Sequence, residues 1–90
     1  MEIEGTIIRR GEYLNGVSRG GNEWQKQEWI METVGKYPKQ VQFSTFGDHC
    51  NTLKFEIGRR YRISMDIESK EYAGRWYTNL TAYNAQLLQD

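Results

Sequence analysis

The chain is short of cysteine, proline and histidine, and it carries no surplus of either charge. Its 90 residues include one Cys, one Pro and one His, and twelve Lys and Arg offset twelve Asp and Glu. Cys50 has no partner for an internal disulfide, which points to a reducing compartment. Cys50 and His49 fall short of the roughly four ligands that a zinc site needs, so neither a metal nor a cofactor is expected. Asp48, His49 and Cys50 are consecutive and splay apart on a short helix, so they make no dyad. Asp66 and Glu68 share a face, but on an otherwise ordinary strand, and no catalytic residue is expected. No apolar run approaches the about 18 residues of a membrane helix. Met1-Glu2-Ile3-Glu4 lacks both a basic n-region and an apolar h-region, so no signal peptide and a cytoplasmic location are expected. The length suits one domain over residues 1–90. Twelve aromatics (three Trp, six Tyr, three Phe) in a chain that is 38% apolar exclude a charged, disordered tail.

Neutrality hides a gradient. Residues 1–35 set Arg9, Arg10, Arg19 and Lys26 against six acids, for −2. Residues 36–62 set Lys36, Lys39, Lys54, Arg59, Arg60 and Arg62 against Asp48 and Glu56, for +4. Residues 63–90 return to −2 with Lys70 and Arg75 against four acids. A basic middle is compatible with a phosphate-facing patch, although linear charge does not show which groups converge.

The patterning is that of strands. Ile3, Gly5, Ile7 and Arg9 alternate with Glu4, Thr6, Ile8 and Arg10, and Gly5 suggests a bend or bulge. Residues 11–22 hold Gly11, Gly16, Gly20 and Gly21 with Asn15, Ser18 and Asn22, which reads as a long glycine-rich loop. Its spacing is not that of a phosphate-binding glycine motif opening a helix. A second strand runs from Trp24 to Val34, with Trp24, Lys26 and Glu28 on one side and Gln25, Gln27, Trp29 and Met31 on the other. After a turn at Gly35–Pro38, Val41, Phe43 and Thr45 form the inner face of a third strand that ends at Phe46-Gly47. Asp48 is placed to cap a short helix whose buried side carries Cys50, Leu53 and Phe55. Tyr61, Ile63, Met65 and Ile67 give the cleanest half-buried strand. Ala73-Gly74 makes a turn, and a fifth strand covers Arg75 to Leu87, with Leu80 and Ala82 inward and Tyr77, Asn79, Thr81 and Tyr83 outward. Leu87 and Leu88 are placed to close the barrel end or to pack on a partner. Trp29, Phe43, Phe55 and Tyr61 are expected in the core. Arg60 and Arg62 read as solvated, edge-protecting charges.

Five strands with one short helix between the third and fourth give an all-β fold, the five-stranded OB-fold Greek-key barrel. An SH3-like barrel explains the long first loop less well and usually lacks that helix.

Val41-Gln42-Phe43-Ser44-Thr45-Phe46-Gly47, a short helix, Gly58-Arg59-Arg60-Tyr61-Arg62-Ile63 and then Gly74-Arg75-Trp76-Tyr77-Thr78 resemble bacterial single-stranded DNA-binding proteins. The chain resembles still more a small bacterial OB-fold family of unassigned function, itself related to those proteins. That likeness lies in Met1–Gly5, Trp24–Glu28, Phe46–Asp48, Asp66–Ser69 and Gly74–Tyr77 and spans essentially the whole chain. The resemblance implies a non-catalytic module for single-stranded nucleic acid, DNA rather than RNA. Such proteins recruit replication partners through a long disordered tail; Leu87-Leu88-Gln89-Asp90 is too short for that work, so recruitment by such a tail is not expected.

In an OB-fold the ligand crosses strands 2 and 3 between the loop joining strands 1 and 2 and the loop joining strands 4 and 5. Stacked bases need aromatic faces and phosphates need cations. Arg19, Trp24, Lys26, Lys70, Tyr72, Arg75, Trp76 and Tyr77 occupy those places and are the candidate nucleic-acid-binding residues. Trp24, Tyr72 and Trp76 are the stacking candidates, joined by Tyr77 if strand 5 shows that face; Arg19, Lys26, Lys70 and Arg75 are the phosphate candidates. A small barrel with an open edge is expected to form a homo-oligomer. The rival reading is a protein-interaction or assembly module with the same aromatics buried between chains, and a third is an oligosaccharide binder.

Overall fold

Alternation of apolar and polar residues with a period of two lets each strand bury one face, and five such strands are what the chain forms. The computed structural model describes residues 1–88; Gln89 and Asp90, the tip of the short C-terminal segment, lie outside the described residues. The elements are β1 (Glu2–Val17), β2 (Glu23–Thr33), β3 (Gln40–Phe46), α1 (His49–Thr52), β4 (Arg60–Tyr72) and β5 (Arg75–Leu87). They close into a barrel in the order β1-β2-β3-β5-β4. All ladders are antiparallel except the contact of β3 with β5, where Ser44 lies opposite Thr81 in parallel. No helix among the described residues is long and apolar enough to cross a membrane.

The core is Ile7, Trp29, Met31, Phe43, Phe55, Tyr61, Ile63, Met65 and Ala82. Each strand member sits where its alternation puts it. Phe55 comes from the segment after α1 and fills one end of the barrel. It meets Trp29, Phe43 and Tyr61 edge-on, with centroids 5.1, 5.5 and 5.0 Å away and rings near perpendicular. The Tyr61 hydroxyl accepts the backbone N–H of Glu56 at 2.8 Å, which fixes the segment behind the ring.

The long glycine-rich loop expected over residues 11–22 is mostly strand. β1 continues to Val17, and a tight turn at Ser18–Asn22 links it to β2, closed by Ser18 N–H to Asn22 O at 2.8 Å and Gly21 N–H to Ser18 O at 2.9 Å. Tyr13, Leu14 and Val17 supply the strand propensity. The irregularity is taken up by shifts in register between Ile7 and Arg9 and between Arg10 and Tyr13. Gln27 holds the second shift together. Its side chain is buried, and its Nε2 lies 3.0, 3.2 and 2.9 Å from the carbonyl oxygens of Gly11, Glu12 and Glu28.

Gly5 is not at a bend. It pairs in regular register with Thr33 on one side and Tyr61 on the other. Glycine is required there by crowding: a Cβ would stand 2.5 Å from Met31 Cε and 2.6 Å from the Glu32 carbonyl oxygen. Gly5→Ala is expected to destabilise the fold by about 1–3 kcal/mol, since backbone must move to admit the methyl. A urea midpoint unchanged from the parent chain would contradict that crowding.

Four other expectations need correction. Asp48 precedes α1, but its side chain makes no cap hydrogen bond, and Phe55 lies beyond the four-residue helix rather than on it. Ile67 is 53% exposed, because the β4–β5 hairpin runs past the barrel and leaves its outer half uncovered. Arg62 guards no edge. It donates from Nε and Nη2 to Glu4 Oε1 at 3.0 and 2.7 Å across the β1–β4 ladder that closes the barrel. That hydrogen bond, then the charge of Glu4, raises the Arg62 pKa above its ordinary value.

Candidate functional site

Two hairpins project from the barrel. The β1–β2 arm ends at Ser18–Asn22, and the β4–β5 arm ends at Ala73-Gly74, where both residues have positive φ (53° and 80°). Two consecutive positive φ values make the two-residue hairpin turn whose twist matches its strands. The pairing registers then say which side chains share a face. Lys26 faces Phe46, Glu28 faces Ser44 and Leu14 faces Lys26, all on the outer side of the barrel, opposite to buried Gln27, Trp29 and Phe43. On the other arm Asp66 faces Thr81, Glu68 faces Asn79, Lys70 faces Tyr77 and Tyr72 faces Arg75. These too lie outside, since Met65 and Ala82, of the opposite parity, are buried.

The two outer faces meet across β3 and β5. A hollow of about 260 Å³ is lined by Lys26, Ser44, Phe46, Glu68, Lys70, Asn79 and Thr81. Lys26 Nζ sits 5.5 Å from the centroid of the half-exposed Phe46 ring, within cation–π range. Lys70 Nζ pairs with Glu68 Oε1 at 3.1 Å, with both side chains well exposed. An exposed pair of this kind is worth only about 0–1 kcal/mol, so Lys70 can change partners at little cost.

The eight candidate residues are thus divided among three places. Lys26, Lys70, Tyr72, Arg75 and Tyr77 share the outer face with Phe46. Trp24 lies on that same side of β2, nearer the arm tip. Its indole packs over Gly16, where an added Cβ would come within 2.9 Å of it, and the ring keeps substantial exposure. Arg19 is in the exposed turn at the tip of the β1–β2 arm. Trp76 pairs with Glu71 and points to the reverse of the β4–β5 hairpin, with Ser69, Thr78 and Ile67. It is 70% exposed there. Phe46 is the residue that sequence reasoning passed over as a strand terminus. Parity alone marks it, since it follows inward Thr45 by one position.

The basic middle of the chain does not converge on this face. Arg59 pairs with Glu56 at 2.8 Å and Arg62 with Glu4 at 2.7 Å, while Lys36 and Lys39 lie in and just after the bend between β2 and β3. The outer face itself mixes Lys26, Lys70 and Arg75 with Glu28, Asp66 and Glu68. Among the described residues no group of three His, Cys, Asp or Glu is placed to hold a metal ion. The Cys50 thiol donates to the Thr45 carbonyl at 3.2 Å, a packing role.

This barrel is similar over its full length to several solved structures. The mitochondrial single-stranded DNA-binding protein Rim1 of S. cerevisiae superposes with a TM-score of 0.70 at 16% identity, covering 100% of this chain and 95% of that one. The second OB-fold domain of replication protein A from Methanococcus maripaludis gives 0.70 at 9% identity, covering 99% and 83%. The dimeric structure of the N-terminal domain of PriB from Thermoanaerobacter tencongensis gives 0.68 at 12% identity, covering 100% and 96%. The fold is therefore an OB-fold, as the strand pattern leads one to expect. Residues 2–86 match the model of a domain of unknown function, DUF3127, and the chain belongs to that family. No curated protein matches the chain.

Proposed function

We propose that the chain is a non-catalytic, cytoplasmic module that binds single-stranded nucleic acid, DNA rather than RNA, across the outer face of β2, β3 and the β4–β5 arm. The observation that carries this is the hollow where Lys26 and Lys70 flank the exposed Phe46 ring, continued along one face by Tyr77, Tyr72 and Arg75. Bases would stack on Phe46, Tyr77, Tyr72 and Trp24, at about 1–3 kcal/mol each. Phosphates would meet Lys26, Lys70 and Arg75, with Arg19 at the end of the track. The OB-fold likeness to single-stranded DNA-binding proteins supports this placement as fold-level analogy. Oligomerisation would lengthen so short a track.

Tryptophan fluorescence tests the reading, because the three indoles differ in position. Trp29 is buried, Trp24 lies beside the track and Trp76 lies on the reverse. Oligo-dT at low salt is expected to quench the emission, and moderate salt to weaken the quenching. Trp76→Phe is expected to keep most of the change and Trp24→Phe to lose most of it. No response at low salt with micromolar protein would sink the proposal.

One observation favours the assembly reading. Trp76 and Ile67 leave an apolar stripe on the reverse of the β4–β5 arm, 70% and 53% exposed. If Trp76→Ala dissociates an oligomer and leaves oligo-dT without effect, that reading replaces the first.

A further inference from the structure

We propose that the chain carries a second, phosphate-binding site in the recess between the β1–β2 arm and α1, on the opposite side of β2 from Lys26 and Trp24. The recess holds about 250 Å³ and is lined by Arg10 and Lys54 with the amides of Gln25, Gln27 and Asn51. No carboxylate lines it. Neither cation is spent elsewhere: among the described residues the ion pairs are those of Arg59, Arg62 and Lys70.

Arg10 is also held in place. Its guanidinium carbon lies 5.7 Å from the centroid of Trp29, and its Nε donates to Gln27 Oε1 at 3.3 Å. Gln27 is itself fixed by the carbonyls of Gly11, Glu12 and Glu28. A guanidinium within cation–π range of a ring and tied to a rigid amide has lost part of its rotamer freedom. Its two terminal nitrogens remain for an anion, in the fork that matches two phosphate oxygens. Lys54 supplies a second charge and Asn51 a neutral donor.

The neighbouring hollow shows the contrast. It is larger, about 510 Å³, and shares Tyr13 and Gln25 with the recess, but it carries Glu23 and Asp48 and no cation. Phosphate is thereby directed to the smaller recess. The ligand is a phosphate group, either free or on a mononucleotide, or a backbone phosphate of a strand that passes behind β2. The outer-face reading is not a premise of this site.

Amide and indole NMR of the full chain tests it, with inorganic phosphate, 5′-dTMP and oligo-dT added in turn at an ionic strength held constant with sodium chloride. Saturable shifts of the Trp29 indole N–H and the Asn51 side-chain amide are expected. Arg10→Gln and Lys54→Gln should each weaken binding roughly tenfold, the weight of one charge-assisted hydrogen bond. Lys36→Gln, in the bend after β2, should leave it unchanged. Shifts with phosphate and dTMP identify a free-phosphate site; shifts with oligo-dT alone, lost in Lys54→Gln, identify a backbone contact. Lys54 is exposed beside α1, so its variant keeps the test open if Arg10→Gln fails to fold. No shift with any of the three probes, or shifts that survive the Arg10 and Lys54 substitutions, would overturn the proposal. Loss of Trp24 quenching with these shifts intact would separate this site from the outer face.

Discussion

Replacing Phe55 with alanine is expected to cost about 3–5 kcal/mol, enough to leave the chain partly or wholly unfolded. The ring is buried and is the common partner of Trp29, Phe43 and Tyr61, so its loss removes three edge-on aromatic contacts together with the plug they surround. At about 4–8 °C per kcal/mol for a domain of this size, the thermal midpoint should fall by on the order of 15 °C or more. The cavity would open at the barrel end, beside the segment between α1 and β4, which Gly58 N–H to Ile7 O at 2.7 Å and Ile7 N–H to Arg59 O at 3.0 Å still tie to β1. Tyr61→Phe is a useful comparison. It removes only the acceptor for the Glu56 N–H and should cost about 1 kcal/mol. If Phe55→Ala costs no more than Tyr61→Phe by thermal and urea unfolding, the aromatic cluster is not the centre of the core.

The second large effect concerns binding. Phe46→Ala with Tyr77→Ala should weaken oligo-dT binding by about 2–6 kcal/mol, at about 1–3 kcal/mol per stacking ring. Both rings are substantially exposed and outside the core, so the thermal midpoint should move little. Phe46 matters for a further reason: its ring positions the Lys26 ammonium, so the variant also frees a phosphate contact. Lys26→Gln in the same background should then cost less than it does alone. An unchanged affinity in the double variant would remove the outer face from consideration even if the chain binds DNA elsewhere.

Much of the fold was legible because the core-facing stretches of the strands alternate. Tyr61, Ile63 and Met65 are buried on parity, and so are Trp29, Met31 and Phe43. The turn at Ala73-Gly74 and the limits of β5 followed from composition. The length of the β1–β2 arm was not legible. Glycine content there argues for a loop, while the strand that forms depends on Gln27, sixteen residues along the chain from Gly11, satisfying the carbonyls of the register shift. Gly5 misled for a related reason, since its need for glycine comes from Met31 and Glu32 across the ladder. The candidate site was half legible. Interleaved aromatic and basic residues marked both arms. Which of them share a face depends on pairing: Tyr77 and Trp76 are neighbours in sequence and point opposite ways, and Phe46 enters the face only once β2 and β3 are in register. The basic run at Arg59–Arg62 drew attention by density, yet Glu56 and Glu4 take up two of its charges.

Neutrality overall and a mixed outer face lead to a specific expectation about salt. Lys26, Lys70, Arg75 and Arg19 offer four phosphate contacts, so log K for a single strand should fall with log salt at a slope of about −3. The most direct measurement is the anisotropy of a labelled oligo-dT titrated with the full chain over a range of salt. Saturable binding at low salt with that shallow slope, reduced by about 0.7 in Lys70→Gln, is the predicted result. No binding at low salt, or binding with a slope that Lys26, Lys70 and Arg75 substitutions leave untouched, would contradict it.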